Sequence, residues 1–295
     1  MTYHAPSPTG PTKEFGFTDA DFNAIASLAK QRFGLDLQAS KKPLIYSRLA
    51  KRLRVLRLDS FAEYCRRLQD NLDTAEEDHL LTALTTNVTQ FFREPHHFTF
   101  LRNVIGPDLL DRARSGHPIR LWSAACSSGE EAYCLAATMM SLLPKQTKYD
   151  IRILATDIDH MVIAKADRGF YPNDQLSQIP ADLKGEMVAS CALSGQFAIA
   201  PHIKKLVTFG KLNLISDWPM RQPFDLIMCR NAAIYFDKDT QSQLWARFAK
   251  CLRPNGHLMI GHSERLSGAA VNQFKSVGVT TYRKRAGAAT DQLCQ

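Results

Sequence analysis

Residues 119 to 131 read Ile-Arg-Leu-Trp-Ser-Ala-Ala-Cys-Ser-Ser-Gly-Glu-Glu, and residues 151 to 157 read Ile-Arg-Ile-Leu-Ala-Thr-Asp. An apolar strand runs into a turn of small residues, Ser123 to Gly129. A helical stretch follows, and a second apolar strand ends on the carboxylate of Asp157. This order opens a nucleotide-type site. Small turn residues let the backbone come close to a ligand, and an acid at the second strand tip can hold ribose hydroxyls. The turn carries a single glycine and is not a G-x-G-x-x-G, so it lacks the room that several glycines give a pyrophosphate. A nucleoside without phosphates, such as S-adenosylmethionine, suits it better. The same pattern also fits an ordinary buried βαβ crossover.

A second segment reads Phe224-Asp-Leu-Ile-Met-Cys-Arg-Asn231-Ala-Ala-Ile-Tyr235-Phe236. In a doubly wound sheet, ligands lie beyond the carboxyl ends of the strands. Asn231 and Tyr235 are expected there, unless they are a loop-capping amide and a packed aromatic. Enzymes that methylate exocyclic base amines often carry Asn/Asp-Pro-Pro-Tyr at this place, and this chain has no prolines there. A third segment runs from Thr85 through Asn87, Thr89, Phe91, Phe92, Arg93 and Glu94 to Phe98. It holds more polar groups of defined shape than a plain hinge needs, although loops are polar in any case.

These residues need elements to position them. Strands are predicted at 119–125, 151–156, 206–212, 224–229, 256–261 and 278–283, and helices at 130–143, 159–168 and 239–252, preceded by helical stretches at 97–102 and 107–114. Such alternation implies an α/β fold with a doubly wound, mostly parallel sheet over about 98–285. Residues 171–205 interrupt it with Pro172, Pro180, Gly185, Gly195 and Pro201 and one strand at 196–200, and read as a small inserted β subdomain. Residues 17–85 carry no strand signal and read as a small all-α domain, with 86–97 as the linker. Thr18 caps its first helix with Asp21 at N3, and Gly34 ends it. A second helix starts near Pro43 with Ile45, Leu49, Leu53 and Leu56 on its core face. A third runs from Ser60 through Leu68, and a fourth from Asp73 or Thr74 to near Thr85. Residues 1–16 read as a loose tail and Arg283 to Gln295 as disordered.

Bulk properties agree with a globular chain. It has 295 residues, 45% of them apolar, enough for a sizeable core. No apolar run nears the ~18 residues of a membrane span, and Met1 to Pro11 has no apolar core of a signal peptide. The seven cysteines are scattered with no C-x-x-C, as expected for reduced thiols of a cytoplasmic protein. The nine histidines show no H-x-x-x-H spacing, so no metal is expected. A net charge of +8 invites an acidic partner.

Taken in order, several motifs resemble the CheR-type chemotaxis receptor methyltransferases, which methylate glutamate side chains with S-adenosylmethionine. They are Asn87-x-Thr89-x-Phe-Phe-Arg93-Glu94, Trp122-Ser-Ala-Ala-Cys-Ser-Ser-Gly129-Glu130-Glu131-x-Tyr133, Ala155-Thr-Asp157-Ile-Asp159, Asn213-Leu214, Cys229-Arg-Asn231-x-x-Ile-Tyr-Phe236 and Gly261-His-Ser-Glu264. The ordered set covers residues 18 to 283. The resemblance implies a class I methyltransferase-like fold and a cofactor site lined from the linker by Asn87, Thr89 and Arg93. Glu131 corresponds to a cofactor-binding acid, Asp157 to the ribose-holding carboxylate, and Asn213, Leu214, Asn231 and Ala232 to the adenine and methionine walls. Ala232 replaces a bulkier aliphatic residue usual in the family, which implies looser adenine packing. Cys126 stands where alanine or glycine is common.

The implied reaction passes a methyl to a glutamate carboxylate of a methyl-accepting chemotaxis protein for sensory adaptation, leaving S-adenosylhomocysteine. A free glutamate, pKa about 4.3, is ionised at pH 7 and needs no general base. Arg93 is expected to steer it, since guanidinium matches its two oxygens, with Tyr235 donating a hydrogen bond nearby. Between Gln38 and Arg57 stand Lys41, Lys42, Arg48, Lys51, Arg52, Arg54 and Arg57, with no acid among them. This run reads either as a solvated basic face or as a dock for the acidic methylation helices of a chemoreceptor. Some family members grip a receptor C-terminal peptide with a Gly-x-Gly loop in the β subdomain. Here Cys191-Ala-Leu-Ser-Gly195 has one glycine, which points away from that tether. A monomer is expected, with neither nucleic-acid binding nor membrane insertion. The alternatives are a nucleic-acid methyltransferase, which the charge would suit, and a non-catalytic adaptor that senses S-adenosylmethionine.

Overall fold

The computed structural model describes residues 14–69, 74–143, 149–191 and 194–287. Most of the expected N-terminal tail, Asp73, Ala192, Leu193 and the last eight residues lie outside them. The chain divides into two units, Met1–Thr86 and Asn87–Gln295.

The first unit contains α1 (Asp19–Phe33), α2 (Lys42–Leu56), α3 (Phe61–Gln69) and α4 (Thr74–Leu84). The Thr18 hydroxyl accepts the Asp21 N–H at 3.1 Å, and the Asp21 carboxylate accepts the Thr18 N–H at 2.8 Å. This reciprocal cap fixes the start of α1, and Gly34 in the left-handed conformation (φ 76°) ends it. Phe22, Ile25, Leu49, Leu53, Phe61 and Leu81 are buried together with one charge, Glu76. That carboxylate receives the Arg52 guanidinium at 2.6 Å and the Tyr64 hydroxyl at 2.8 Å. A buried acid is tolerable only when paired in this way.

The second unit begins with α5 (Pro95–Phe100), a π turn (Leu101–Ile105) and α6 (Gly106–Arg114). The two helices expected here are one continuous run. Pro107 has no N–H to donate, and a Cβ on Gly106 would lie 2.4 Å from Leu142 Cδ1 and 2.9 Å from the Leu101 carbonyl, so the helix widens at that contact. The chain continues through β1 (Ile119–Ala124), α7 (Glu130–Leu142), β2 (Ile151–Asp157), α8 (His160–Arg168), β3 (Phe170–Pro172), α9 (Ala181–Met187), β4 (Val188–Ala189), β5 (Gln196–Ile199) and α10 (Pro201–Lys204). It ends with β6 (Val207–Lys211), β7 (Phe224–Cys229), α11 (Lys238–Cys251), β8 (Leu252–Ile260), β9 (Phe274–Gly278) and β10 (Thr281–Lys284).

Seven strands form one sheet in the order β6-β2-β1-β7-β8-β10-β9. The first five are parallel, and β10 and β9 are antiparallel. This is the expected mostly parallel, doubly wound α/β fold. Strand side chains alternate between faces. Ile119 and Leu121 join α7 through Leu135 and Met139, whereas Trp122 and Ala124 join α11 through Trp245 and Phe248. From β1 the chain first builds outward through β2 to β6, then returns to place β7 on the other side of β1. The direction of winding therefore changes between β1 and β7, and a crevice opens beyond their carboxyl ends.

Two strand expectations need correction. The single strand predicted at 278–283 is a hairpin, β9 and β10, turning at Val279-Thr280. Thr280 takes φ 45°, and neither residue is a usual turn former. The strand predicted at 256–261 begins earlier, at Leu252, where α11 stops. The insertion is a separate antiparallel sheet, β3-β5-β4. Only β5 was legible, because β3 and β4 span three and two residues, too few to show a period.

Candidate active site

Asp157 ends β2 facing the turn after β1. Its two oxygens accept backbone N–H groups from Ser127 (2.8 Å) and Asp159 (3.1 Å). Burial pushes its carboxyl up, against the downward pull of those N–H groups. The Ile158 N–H also acts on it, and a carboxylate, with about four acceptor positions, still has room for a further donor. The turn reaches this acid by taking left-handed conformations at Ala125 (φ 62°), Ser127 (φ 50°) and Gly129 (φ 93°). Gly129 is required twice. Besides its φ, a Cβ there would stand 2.7 Å from Ala166 Cβ on α8. The single glycine is thus spent on packing α8 close to the turn. The Tyr171 hydroxyl on β3 braces the turn from outside, donating to the Ser128 carbonyl at 2.6 Å.

The segment from Asn87 to Glu94 is built into this unit. Asn87 Nδ2 donates to Asp159 Oδ2 at 2.9 Å, and its carbonyl accepts the Ser127 hydroxyl at 3.0 Å. The Phe92 N–H meets Cys134 Sγ at 3.2 Å, and both Phe91 and Phe92 are buried. Phe92 (φ 53°) and Glu94 (φ 56°) are left-handed as well. With Ala125, Ser127 and Asn231 (φ 59°), five non-glycine residues in this strained region gather at one edge of the sheet. Strain of this kind collects at functional sites.

Arg230, just past β7, is the hub. Its side chain is 3% exposed, and Nη1 donates to Glu131 Oε2 at 2.9 Å while Nε faces Glu94 Oε2 at 3.4 Å. Its Nη2 donates to the Arg93 carbonyl. Glu131 also accepts the Ser123 hydroxyl at 2.7 Å. Asn231 Nδ2 approaches Glu94 Oε1 at 3.5 Å. Asn231, Ala232 and Ala233 direct their backbone N–H groups at the buried Glu264.

At the carboxyl edge of β1, β2 and β7 the structure therefore forms two hydrogen-bonded groups, one with Asn87 and Asp157, the other with Glu131, Asn231, Ala232 and the Arg93 backbone. The Arg93 guanidinium donates to the Val88 carbonyl at 3.1 Å, and Thr89 is half-buried on the same segment. Tyr235 is half-buried in a 3-10 turn after β7. Asn213 and Leu214 follow β6, next to β2. Asn213 Oδ1 accepts the Ile215 N–H at 3.1 Å, and Arg247 holds the Leu214 carbonyl at 2.7 Å while lying 3.9 Å over the Trp218 ring. Sequence reasoning assigned no part to Arg230, Glu94, Glu264, Asp159, His262 or Arg247. A charged residue directly after an apolar strand, as Arg230 is, was the available signal.

Cys126, Cys134 and Cys229 are buried near the turn, and burial pushes their thiols well up. Among the described residues, Glu94, His96 and His97 bring metal-type ligand atoms within 4.8 Å of one another. Glu94 already faces the Arg230 charge, which opposes a second cation there.

In the first unit, the seven basic residues divide. Arg48 donates to the carbonyls of Ala83 (3.0 Å) and Thr85 (2.6 Å), and Arg52 holds Glu76. Lys42 pairs with Asp19 and Arg54 with Glu14. Lys41, Lys51, Arg54 and Arg57 are exposed. An open hollow of about 370 Å³ lies between α2 and α4, lined by Arg48, Lys51, Arg52 and His79 among others.

A carboxylate at the second strand tip, a tight turn after the first and a crevice at the switch point define an α/β protein of the nucleoside-binding class. The model of the CheR methyltransferase SAM binding domain matches residues 87–283, and that of the CheR all-alpha domain matches residues 20–85. The chain is 45% identical to a Rhizobium etli protein named probable chemotaxis protein methyltransferase, over 85% of this chain and 94% of that one. It is 40% identical to chemotaxis protein methyltransferase 2 of Pseudomonas aeruginosa, over 96% and 99% of the two chains. It is 37% identical to the chemotaxis protein methyltransferase of Escherichia coli, over 92% and 93%. The chain belongs to the CheR methyltransferase family and is an S-adenosylmethionine-dependent methyltransferase of chemotaxis. No helix among the described residues is long and apolar enough to cross a membrane.

Proposed function

We propose that this protein transfers the methyl group of S-adenosylmethionine to glutamate side-chain carboxylates of chemoreceptors, forming glutamyl methyl esters for sensory adaptation. The observation that carries this reading is the Asp157 carboxylate at the tip of β2, held by backbone N–H groups yet with acceptor capacity left, together with the Glu131–Arg230–Glu94 network. A ribose hydroxyl fits that remaining capacity. Asn87, Thr89 and Arg93 would line the cofactor from the linker side, Glu131 would bind it as an acid past the turn, and Asn213, Leu214, Asn231 and Ala232 would form the adenine and methionine walls. When bound, the cofactor supplies an electrophilic methyl on a sulfonium.

The chain's own task is positioning. The acceptor carboxylate is already an anion at pH 7 and needs no base. Arg93 directs it through two N–H groups, and the Tyr235 hydroxyl donates to it. Holding reactants in line supplies about 7–11 kcal/mol. Lys41, Lys51 and Arg57 attract the acidic methylation helices of the receptor, whereas Arg48 and Arg52 first hold their own unit together.

The test is to incubate the protein with methyl-labelled cofactor and a receptor cytoplasmic fragment, then add base. Glutamyl methyl esters release labelled methanol. Base-stable label, or no transfer to any receptor fragment, would overturn the reading in favour of a nucleic-acid methyltransferase or a cofactor-sensing adaptor.

A further inference from the structure

The segment Gly261-His262-Ser263-Glu264 follows β8 and has no part in the proposed transfer. Its geometry gives it one. Glu264 is 4% exposed. Oε1 accepts the N–H groups of Ala232 (3.0 Å) and Ala233 (2.8 Å), and Oε2 accepts those of Asn231 (3.1 Å) and Gly261 (2.5 Å). Successive N–H groups aimed at one point make a concave anion site. Here the protein fills it with its own carboxylate.

The fit is close. A Cβ on Gly261 would stand 2.6 Å from Asn231 Nδ2, 2.7 Å from Asn231 N and 2.9 Å from Glu264 Oε2. Only glycine lets the two backbones meet there. Asn231 is held at φ 59°, a left-handed conformation that asparagine tolerates better than most residues, and its N–H is bound by Glu264. On the other side of the segment, the backbone N–H and Nδ1 of His262 meet Glu94 Oε1 at 3.2 and 2.9 Å.

We propose that Glu264 is a positioning residue for methyl transfer: its buried carboxylate folds the loop after β7 from inside and so sets Asn231, Ala232 and Tyr235. This rests on the proposed roles of those three residues. Gly261 supplies the clearance, and His262 ties the same loop region to Glu94. Burial pushes the Glu264 carboxyl up while the N–H groups of Gly261, Asn231 and Ala233 pull it down. A neutral acid would turn an O–H against those donors, so the anion is the form the cradle fits.

Glu264→Gln keeps the volume but offers an amide NH2 where two backbone donors need an acceptor. The expected result is a Kd for S-adenosylhomocysteine raised about tenfold or more, measured by calorimetry where circular dichroism shows both proteins folded. At saturating cofactor, kcat should fall as well, because Tyr235 shares the loop. Asp225→Asn is the control for stability alone. Asp225 is an equally buried carboxylate at the opposite end of β7, accepting the Arg120 N–H at 2.9 Å and the Arg253 guanidinium. It should lower Tm yet leave the Kd within about twofold. Should Glu264→Gln fail to fold, Gly261→Ala tests the same contact with the carboxylate kept, and the same loss is expected. A Kd within about twofold of wild type in whichever variant folds overturns the proposal. So does loss of affinity in Asp225→Asn in proportion to its Tm. Wild-type protein that does not bind S-adenosylhomocysteine overturns the reading of the site itself, which is a different result.

Discussion

Nδ1 of His262 lies 2.9 Å from Oε1 of Glu94, across 168 residues of sequence. The same carboxylate faces Arg230 through its other oxygen. Burial alone would raise the Glu94 pKa, but the His262 hydrogen bonds and the Arg230 charge outweigh it and bring the carboxyl down to about 2. Glu94 is therefore an anion throughout the working range, and it joins the segment before α5 to the strand tips that carry the site.

Replacing Glu94 by Gln leaves Arg230 with one acidic partner and removes the anchor of His262. Breaking a buried pair costs about 3–5 kcal/mol. The expected outcome is a loss near the lower end of that range in urea unfolding at pH 7, since Glu131 remains. The sign of the pH dependence follows from the depressed value. Glu94 contributes fully above its unfolded pKa of 4.5, and the contribution disappears as pH falls towards 2. The gap between wild type and variant should narrow over that window. Equal stability at pH 7 would show that Glu94 braces nothing.

His97 is fully buried, with Nε2 at 3.0 Å from the Thr280 hydroxyl. Burial, then the charge of Arg230, lowers its pKa from 6.5 to about 3. Above 6.5 the ring is neutral in both folded and unfolded chains. Below it the unfolded chain takes up a proton that the folded one refuses, so stability falls by up to about 1.4 kcal/mol per pH unit. His97→Gln should be less stable than wild type near neutrality and should lose less between about pH 6.5 and 5. Parallel curves for the two proteins would assign the acid sensitivity elsewhere.

Asp157→Asn keeps one acceptor oxygen but loses the charge and places an NH2 near the Ser127 or Asp159 N–H. Hydrogen bonds to charged groups are worth about 1.5–3 kcal/mol, so S-adenosylhomocysteine should bind about ten- to a hundredfold more weakly. Calorimetry at fixed pH measures this directly. Unchanged affinity would remove Asp157 from the ribose site.

Arg93→Ala is expected to lower kcat/KM for the receptor fragment by about tenfold or more, with a smaller rise in the Kd for S-adenosylhomocysteine. Its backbone carbonyl, which Arg230 uses, survives the substitution. Wild-type turnover together with wild-type cofactor affinity would end the role assigned to this guanidinium.

The basic run of α2 should separate into two behaviours. The double variant Lys51→Glu, Arg57→Glu should weaken receptor methylation most at low salt, since the Debye length is ~8 Å at physiological strength. Arg52→Ala should instead unfold its unit more easily, because the buried Glu76 would lose its guanidinium partner. Salt-titrated kinetics and thermal melts distinguish these. A salt-independent defect in the double variant would remove these two residues from docking.

Much of the frame was legible because the signals are local. The Thr18–Asp21 cap, Gly34, the alternating apolar strands and the acid at Asp157 each declare themselves within a few residues. The hairpin of β9 and β10 was not, since Val279-Thr280 turns without the residues that usually mark a turn. β3 and β4 were too short to show a period. The site divides in the same way. Asp157 followed from its position on a strand, whereas most other candidates, Glu131 and Asn213 among them, came through family resemblance. Arg230, Glu94 and Glu264 stood in the family motifs, but their roles did not show, because most of their partners are distant in sequence, as far as 168 residues for Glu94 and His262. Nothing local separates a carboxylate that binds a ligand from one that binds backbone.

The thiols of Cys126, Cys134 and Cys229 are sealed around the turn and held protonated by burial. Peroxide and alkylating reagents attack the thiolate. Buried and held protonated, these sulfurs should react slowly with both, so oxidants that would disable an exposed cysteine should pass the pocket by. They become reactive only when the sheet edge opens. The rate at which they are modified is then a built-in clock for that opening, and a ligand that closes the crevice should slow it.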